Sequence, residues 1–235
     1  MNLARPISIL ALALVAASCA SADPSQSSSD DPGASEDALA MSKIIPRLMA
    51  IASHCTPASH GKLEAEVGKP ATIDVCRLKG AFFWKSRMNV DCDGQTTPEC
   101  CLQKDPDYQN QTSFTQSDDK PLIAAKLPYI VIPERSARFD YVKEGIEPGA
   151  LAVVIYRGKV VYGVFGDEGP PTAIGEASYA MAKALGINPD PRNGGVEDGV
   201  TYFVFSGKDG VVDPIESHDA AVRKGTLLVQ QLLQQ

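Results

Sequence analysis

Short apolar segments recur along the chain between turn-forming residues, many of them alternating with polar positions, and this pattern predicts a mainly β protein. The predicted strands cover residues 81–90, 127–132, 151–156, 159–165 and 200–205. Only Arg157-Gly158 separates the third of these from the fourth, a spacing typical of a β-hairpin. Residues 102–121 are mostly polar and predict a long loop.

Apolar residues at helical spacing are fewer. The predicted helices cover residues 41–53, 177–185 and 219–235. We expect the first to start or kink at Pro46, the second to end at Gly186, and the third to be interrupted by Gly225. Because strands dominate, the sequence predicts an α+β, mainly β fold: a compact single domain around a small β-barrel with a few helices. By analogy with saccharide-binding barrels, the double-psi type is the expected architecture.

The N-terminus has the pattern of an export signal. Residues 1–18 have a basic start at Arg5 and then an uncharged apolar stretch that is too short to span a membrane. Ala16-Ala17-Ser18-Cys19 resembles a bacterial lipobox, although that motif prefers Leu at the first position, and Cys19 would then carry the lipid. The alternative is cleavage after Ala22. Both processes would take the mature protein out of the cytoplasm, as a secreted or a lipid-anchored protein.

The expected organisation has three parts. A signal peptide with the candidate lipidation site covers residues 1–19. Residues 20–41 are rich in Ser, Asp, Pro and Gly and predict a flexible tether, because they have too few apolar side chains to form a core. Residues 42–235 form the single folded domain, which is long enough for a sizeable core.

The charge of the chain argues against one class of partner. The 235 residues carry 22 Lys and Arg against 29 Asp and Glu, a net charge of −7. Without residues 1–41 the counts are 21 and 24, a net charge of −3. A mildly acidic body disfavours nucleic acid, which needs a basic surface, and suits a cationic polymer.

The cysteines support export independently. Five of them lie within 47 residues, namely Cys55, Cys76, Cys92, Cys100 and Cys101. Their spacing lacks the paired pattern of a zinc site, and the three histidines do not complete one, so no metal is expected. Disulfides are the better interpretation in an exported protein. An odd number allows at most two bridges, for which we predict Cys55–Cys76 and Cys92 with either Cys100 or Cys101, while the fifth thiol stays free or pairs elsewhere.

Residues 160–178 carry the strongest candidate chemistry. An apolar strand runs into a Gly- and Pro-rich loop that holds Asp167 and Glu168, and Glu176 follows nine residues after Asp167. Hydrolysis of a glycosidic bond needs two such carboxyl groups, one to protonate the leaving oxygen and one to activate water or attack the sugar. The alternative is structural: Asp167 and Glu176 would cap a turn and a helix N-terminus, where acidic residues are favoured.

Four segments resemble the fungal-type chitosanases, glycoside hydrolase family 75, in the order of that family. They are MNVDCDG (88–94), LPYIVIP (127–133), residues 139–178 with the GD-x-GP and IGEAS motifs, and residues 194–207. The resemblance covers most of the chain from Gly80 to Gly207. It implies hydrolysis of chitosan, the deacetylated glucosamine polymer, with inversion at the anomeric carbon. It also implies that Asp167 and Glu176 are the two essential carboxylates.

We assign Glu176 as the general acid and Asp167 as the general base. Partly apolar surroundings would raise the pKa of Glu176, whereas a helix N-terminus would favour its charged form. The opposite allocation therefore stays open at this point. Glu168 is expected to face solvent. No cofactor is expected for this reaction.

Chitosan carries amines, so its binding sites should present carboxylates. Asp91 and Asp93, in the family-like Asp-Cys-Asp-Gly segment, are the candidates, with Trp84 and Tyr162 as stacking platforms. The alternatives are a turn held by Asx hydrogen bonds beside a disulfide, and two aromatic rings that belong to the core. The acidic segment also lacks the full ligand set of a calcium loop.

Two other functions remain open. One is a non-catalytic, tethered polysaccharide-binding module, and the other is a glycosidase that acts on another amino-sugar polymer, such as peptidoglycan or chitin. The expected partner in each case is chitosan or a related amino-sugar polysaccharide. We expect a monomer that contacts a membrane only through the candidate anchor at Cys19.

Overall fold

The computed structural model describes residues 43–234. The candidate signal peptide, Cys19 and the tether lie outside these residues. The strands are β1 (Leu63–Glu64), β2 (Ala71–Ile73), β3 (Cys76–Leu78), β4 (Ala81–Asp91), β5 (Tyr129–Pro133), β6 (Leu151–Tyr156), β7 (Lys159–Gly169), β8 (Glu176–Ser178) and β9 (Val196–Phe205). The helices are α1 (residues 43–51), α2 (Tyr179–Leu185) and α3 (His218–Leu232), with a 3₁₀ turn at Lys208–Gly210.

Six strands close into a barrel in the order β4-β8-β5-β7-β6-β9, because β9 pairs back onto β4. The pairs β4–β8 and β5–β7 are parallel, and the other pairs are antiparallel. Strand β3 adds to the start of β4, and β1 pairs with β2 in a separate two-stranded sheet. The predicted mainly β fold around a small barrel is confirmed, while its double-psi topology stays a prediction.

Alternate residues of the strands build two apolar cores. The inner core takes side chains from all six barrel strands, and its centre includes Trp84 stacked on Tyr202 with ring centroids 5.2 Å apart. The outer core lies on the opposite side of the same strands, where Phe83 and Phe203 contribute and where α1 and α3 provide the cover. The period of two along each strand therefore separates two environments.

The turn signals of the sequence are confirmed. Arg157 and Gly158 have φ values of 45° and 78°, which match a two-residue hairpin turn between β6 and β7. Gly186 ends α2 in the left-handed conformation, and the Ser178 side chain caps its start by accepting the Met181 N–H.

Gly225 does not interrupt the last helix, contrary to expectation. Helix α3 runs through it, and the residue marks a close approach: a Cβ at this position would collide with the Tyr162 ring of β7. The glycine lets α3 lie directly on the barrel wall. This close approach explains a glycine inside the helix, where the residue costs roughly 1 kcal/mol relative to alanine.

Other boundaries differ from the predictions. Residues 176–178 form β8, so α2 begins only at Tyr179, and the first helix extends to residue 43, upstream of Pro46. The short strands β1 to β3 are too brief to show a period and were not predicted. The predicted long loop is confirmed and extends over residues 92–128, which contain no helix or named strand.

Disulfides join Cys55 to Cys76 and Cys92 to Cys100, which confirms the first predicted pair and selects one of the two alternatives for the second. No cysteine is free in the described part of the chain, so Cys101 is not left as a thiol.

Over residues 43–234, no helix has the length and apolar character needed to cross a membrane.

Candidate functional site

An acidic cleft of about 680 Å³ opens over β4, β8, β5 and β7. Nine carboxyl groups line it, contributed by Glu66, Asp91, Asp93, Asp105, Asp107, Glu134, Asp167, Glu168 and Glu176. The basic side chains in its wall are Arg87 and Arg192. Arg87 forms ion pairs with Glu66 and Glu197. The cleft is therefore strongly electronegative and suited to a cationic ligand.

The register of three strands places the two candidate catalytic carboxylates. Val131 in the middle strand, β5, pairs with Asp167 of β7 on one side and with Glu176 of β8 on the other. Residues paired in register point to the same face of a sheet, and neighbouring strands are about 4.8 Å apart. The Cα atoms of Asp167 and Glu176 thus lie about 10 Å apart on one face. This spacing is compatible with the roughly 6.5–9.5 Å between carboxyl groups that inverting glycosidases need.

A β-bulge at Gly166 directs Asp167 into the cleft. Phe165 pairs with Ile130, yet Asp167 pairs with the next residue, Val131, so Gly166 is an extra residue in β7. In a regular strand, residues two apart point to the same face, so Asp167 would point into the inner core together with Phe165. The bulge turns Asp167 to the opposite face. A Cβ at Gly166 would lie 2.7 Å from the Tyr129 Cβ, which leaves glycine as the residue that fits.

Asp167 is buried and well provided with hydrogen bonds. Its Oδ1 accepts the backbone N–H groups of Ser113 at 2.7 Å and Glu168 at 2.8 Å, and its side chain is 6% exposed. Burial raises the pKa of Asp167, and the hydrogen bonds from Ser113 and Glu168 offset part of that rise. These donors favour the ionised carboxylate.

Glu176 has the opposite environment. Burial is the main cause that raises its pKa to about 7, and the negative charges of Asp93 and Asp167 add to the effect. Glu176 lies in β8, and α2 begins only at Tyr179. Glu176 is therefore not at the helix N-terminus that was expected to lower its pKa. Hydrogen bonds thus stabilise the ionised form of Asp167, whereas burial and neighbouring negative charges favour the protonated form of Glu176.

The turn interpretation of Asp91 and Asp93 is confirmed, and their role in substrate binding stays a prediction. The Asp91 Oδ1 accepts the Asp93 N–H at 2.7 Å, next to the Cys92–Cys100 disulfide, so the segment is an Asx turn. The two carboxyl groups also line the cleft. Burial raises the pKa of Asp91 well above its usual range and that of Asp93 to about 7.

Trp84 and Tyr162 are not stacking platforms, and this expectation is corrected. Trp84 is 1% exposed inside the barrel, and Tyr162 is 5% exposed beneath α3. Neither ring lines the cleft. Both face apolar cores because their strand positions alternate away from solvent.

The loop over residues 92–128 supplies parts of the site that the sequence analysis missed. Asp105 and Asp107 line the cleft, and Ser113 holds Asp167. The Asp105-Pro-Asp107 spacing repeats that of Asp91 and Asp93 and was a usable signal. Glu168, expected to face solvent, lines the cleft and accepts the Tyr141 hydroxyl at 2.7 Å.

Comparison with known proteins gives one family. Residues 88–229 match the model of the fungal chitosanases of glycosyl hydrolase group 75. Endo-chitosanase B of Aspergillus oryzae is 35% identical over 154 residues, which cover 59% of this chain and 64% of that protein. An endo-chitosanase of Aspergillus fumigatus is 30% identical over 164 residues, covering 66% and 67% respectively. The chain thus spans 64% of the length of the first relative.

Proposed function

Since the chain belongs to the fungal chitosanase family of glycosyl hydrolase group 75, we propose that it is an endo-chitosanase that cleaves β-1,4 glucosaminide bonds within chitosan. One observation carries the proposal: Asp167 and Glu176 flank Val131 on one face of the barrel, inside a cleft lined by nine carboxyl groups. The names of the relatives, endo-chitosanases of Aspergillus, support the same substrate.

The proposed mechanism inverts the anomeric configuration. Glu176, protonated below its raised pKa of about 7, gives its proton to the glycosidic oxygen as the bond to the anomeric carbon breaks. Asp167, ionised through its hydrogen bonds, accepts a proton from the water that attacks that carbon from the opposite face. The water oxygen becomes the new anomeric hydroxyl, and one proton has moved from Glu176 to the leaving sugar while another has moved from water to Asp167.

The remaining carboxylates fit the charge of the substrate. Glucosamine units carry ammonium groups, and Asp93, Asp105 and Asp107 line the same cleft at its loop side. The carboxylates of the empty cleft repel one another, and each would instead attract an ammonium group of the bound substrate. An N-acetylated unit lacks this charge and gains less from the cleft.

Asp167→Asn and Glu176→Gln test the proposal in a reducing-end assay. General acid–base catalysis contributes about 10²–10⁴-fold, so each substitution should lower turnover of chitosan by at least about 100-fold. The double variant should be scarcely slower than the slower single variant, because the two groups act on one bond. Glu147→Gln, at an exposed position outside the cleft, is the matched control and should keep most of the activity.

Chitosan, chitin and peptidoglycan are assayed side by side. New reducing ends on chitosan alone support the proposal. Release from one of the other polymers instead would assign a different amino-sugar substrate. Binding to chitosan that survives both substitutions, without any cleavage by the wild type, would indicate a non-catalytic binding module. Full activity of either single variant would place the chemistry elsewhere.

We also propose that the mature protein acts outside the cytoplasm as a monomer. Two disulfides support export, and both catalytic candidates come from one chain. The relatives named above are fungal proteins, so they give no support to a bacterial lipid anchor. Cys19→Ala tests that anchor: release from the membrane fraction supports it, whereas an unchanged distribution with a mature N-terminus at Asp23 rejects it.

A further inference from the structure

A second depression, of about 480 Å³, adjoins the acidic cleft. Pro191 and Arg192 line both of them, so a ligand that extends from the cleft past these two residues enters the depression. The Arg192 guanidinium donates to the Gln103 carbonyl oxygen at 2.7 Å, which joins the segment around it to the long loop. This hydrogen bond ties the wall shared by the cleft and the depression to the long loop.

Tyr179 supplies the aromatic wall of this depression. It is the first residue of α2 and lies three residues after Glu176. The side chain is partly exposed, and it packs against both apolar cores. The ring is thus anchored on the protein side while part of it stays open to a ligand, which was the arrangement expected of Trp84 and Tyr162.

Glu99 and Asp190 line the same depression as Tyr179. Burial raises the pKa of Tyr179, and the negative charges of Glu99 and Asp190 raise it further. Glu99 is exposed in a turn closed by the Thr97 N–H donating to the Cys100 carbonyl at 2.8 Å. The disulfide from Cys100 to Cys92 fixes this turn to the acidic edge of the cleft.

Two hydrogen bonds hold Asp190, the second carboxylate of the depression. Its Oδ1 accepts the Arg192 N–H at 2.9 Å, and its carbonyl oxygen accepts the Gly194 N–H at 2.6 Å. The side chain is exposed. Lys104 and Arg192 also line the depression, so its charges nearly balance and the aromatic ring is its distinctive feature.

We propose that this depression is a distal subsite for one glucosamine unit of a chain that continues out of the acidic cleft. The Tyr179 ring packs against the apolar face of the sugar, and Glu99 and Asp190 pair with its ammonium group. The inference rests on the proposed function for the identity of the polymer. It adds a contact remote from the cleaved bond, which would favour long substrates over short ones.

The experiment measures binding by calorimetry in a Glu176→Gln background, with a glucosamine octamer and a glucosamine trimer. Tyr179→Leu removes the ring but keeps an apolar side chain against the two cores. It should weaken octamer binding about 5- to 30-fold, the range expected for a sugar ammonium and ring contact, and leave trimer binding almost unchanged. Tyr179→Phe keeps the ring and should bind like the parent protein.

Charge is tested separately with the double variant Glu99→Gln/Asp190→Asn. It should bind the octamer about 2- to 5-fold more weakly at low salt, and the difference should vanish at high salt. Lys183→Ala, exposed one turn further along α2 and outside the depression, is the matched control. Unchanged low-salt binding by the double variant would overturn the ammonium contact.

Failure of the subsite differs from failure of the proposed function. If the wild type cleaves chitosan while Tyr179→Leu binds the octamer as the parent does, the subsite is wrong and the activity stands. If no reducing ends form, yet octamer binding depends on Tyr179, the subsite stands and the endo-chitosanase proposal is wrong. In the active enzyme, Tyr179→Leu should raise KM for the octamer and leave kcat nearly constant.

Discussion

The inner core of the barrel and the acidic cleft are built from the same strands, yet they have opposite chemistry. In β7, Phe165 points inward among apolar side chains, and Asp167 lies in the cleft two residues later. The inner core removes apolar surface from water and stabilises the fold. The cleft gathers carboxyl groups that repel one another. The candidate site thus lies on the outer face of the sheet, which it shares with the outer core, and the inner core lies on the opposite face.

The cleft keeps its charges largely without cationic partners. Among residues 43–234, none of the ion pairs involves Asp91, Asp93, Asp167 or Glu176. Burial raises the pKa of each of the four. Such an arrangement costs folding free energy in the empty protein and is compensated when a cationic ligand binds.

The largest effect should come from the inner core. Trp84→Ala removes a fully buried ring stacked on Tyr202 and should lower the free energy of unfolding by about 3–5 kcal/mol. Denaturant unfolding measures this. Trp84→Phe should cost much less, because the Trp84 Nε1 is buried without a hydrogen-bond partner in the described part of the chain. Well below the transition, kcat should stay normal in both variants, and a large loss in kcat would show that the two faces are not separate.

Two glycine substitutions, Gly166→Ala in β7 and Gly225→Ala in α3, sharpen the comparison between the cleft and the apolar cores. Gly166→Ala forces a Cβ against Tyr129 and should displace Asp167, which would lower kcat by about 100-fold. Gly225→Ala crowds Tyr162 in the outer core and should lower stability by about 1–3 kcal/mol with kcat unchanged. Steady-state kinetics and thermal unfolding of both proteins provide the test. Equal losses of kcat would contradict a special role for the bulge.

Activity should depend on the protonation of Glu176. Because its pKa is raised to about 7, the proton needed by the leaving oxygen is lost above that pH. We expect kcat/KM for soluble glucosamine oligosaccharides to fall about tenfold per pH unit above about 7. Binding to Glu176→Gln, measured over the same pH range, corrects for titration of the substrate amines. A profile that stays flat up to pH 9 would reassign the acid.

The smallest effect concerns stability in the cleft. The folded pKa values of Glu176 and Asp93, about 7, exceed their unfolded values, so the folded state binds more protons between about pH 4 and 7. Stability should therefore decrease as pH rises through this range. Glu176→Gln should flatten that decrease and modestly raise the melting temperature at pH 7. A melting temperature that is lower than the wild type's would show that the Glu176 carboxylate stabilises the fold.

Sequence alone predicted much of the frame. Strands β4, β5, β6, β7 and β9, the hairpin turn and the end of α2 follow from local periods and turn residues, whereas most of β8 lies in a segment predicted as the start of a helix. The candidate pair Asp167 and Glu176 follows from the family motifs. The bulge at Gly166 was not predictable, because an extra residue is defined only by the register of the partner strand. Asp105 and Asp107 reach the cleft through the path of an irregular loop, so no strand or helix period marks them, and only their spacing, which repeats that of Asp91 and Asp93, was a usable signal.

The aromatic predictions failed for a reason of the same kind. A ring in a strand points inward or outward according to register, and the sequence around Trp84 and Tyr162 does not show which side is open to a ligand. Tyr179 was not predicted as a ligand-binding residue, because it fell inside the predicted helix 177–185, whereas the helix begins at that residue. Long-range pairing therefore decided which aromatic side chains are open to a ligand.

The pairing of β9 with β4 has a further consequence for contacts between molecules. An open sheet presents unpaired N–H and C=O groups at its two edges, and other chains can add to them. Here the six barrel strands satisfy one another around the ring, and β3, with three residues, is a short addition at its outside. We expect the folded protein to resist edge-to-edge aggregation at high concentration.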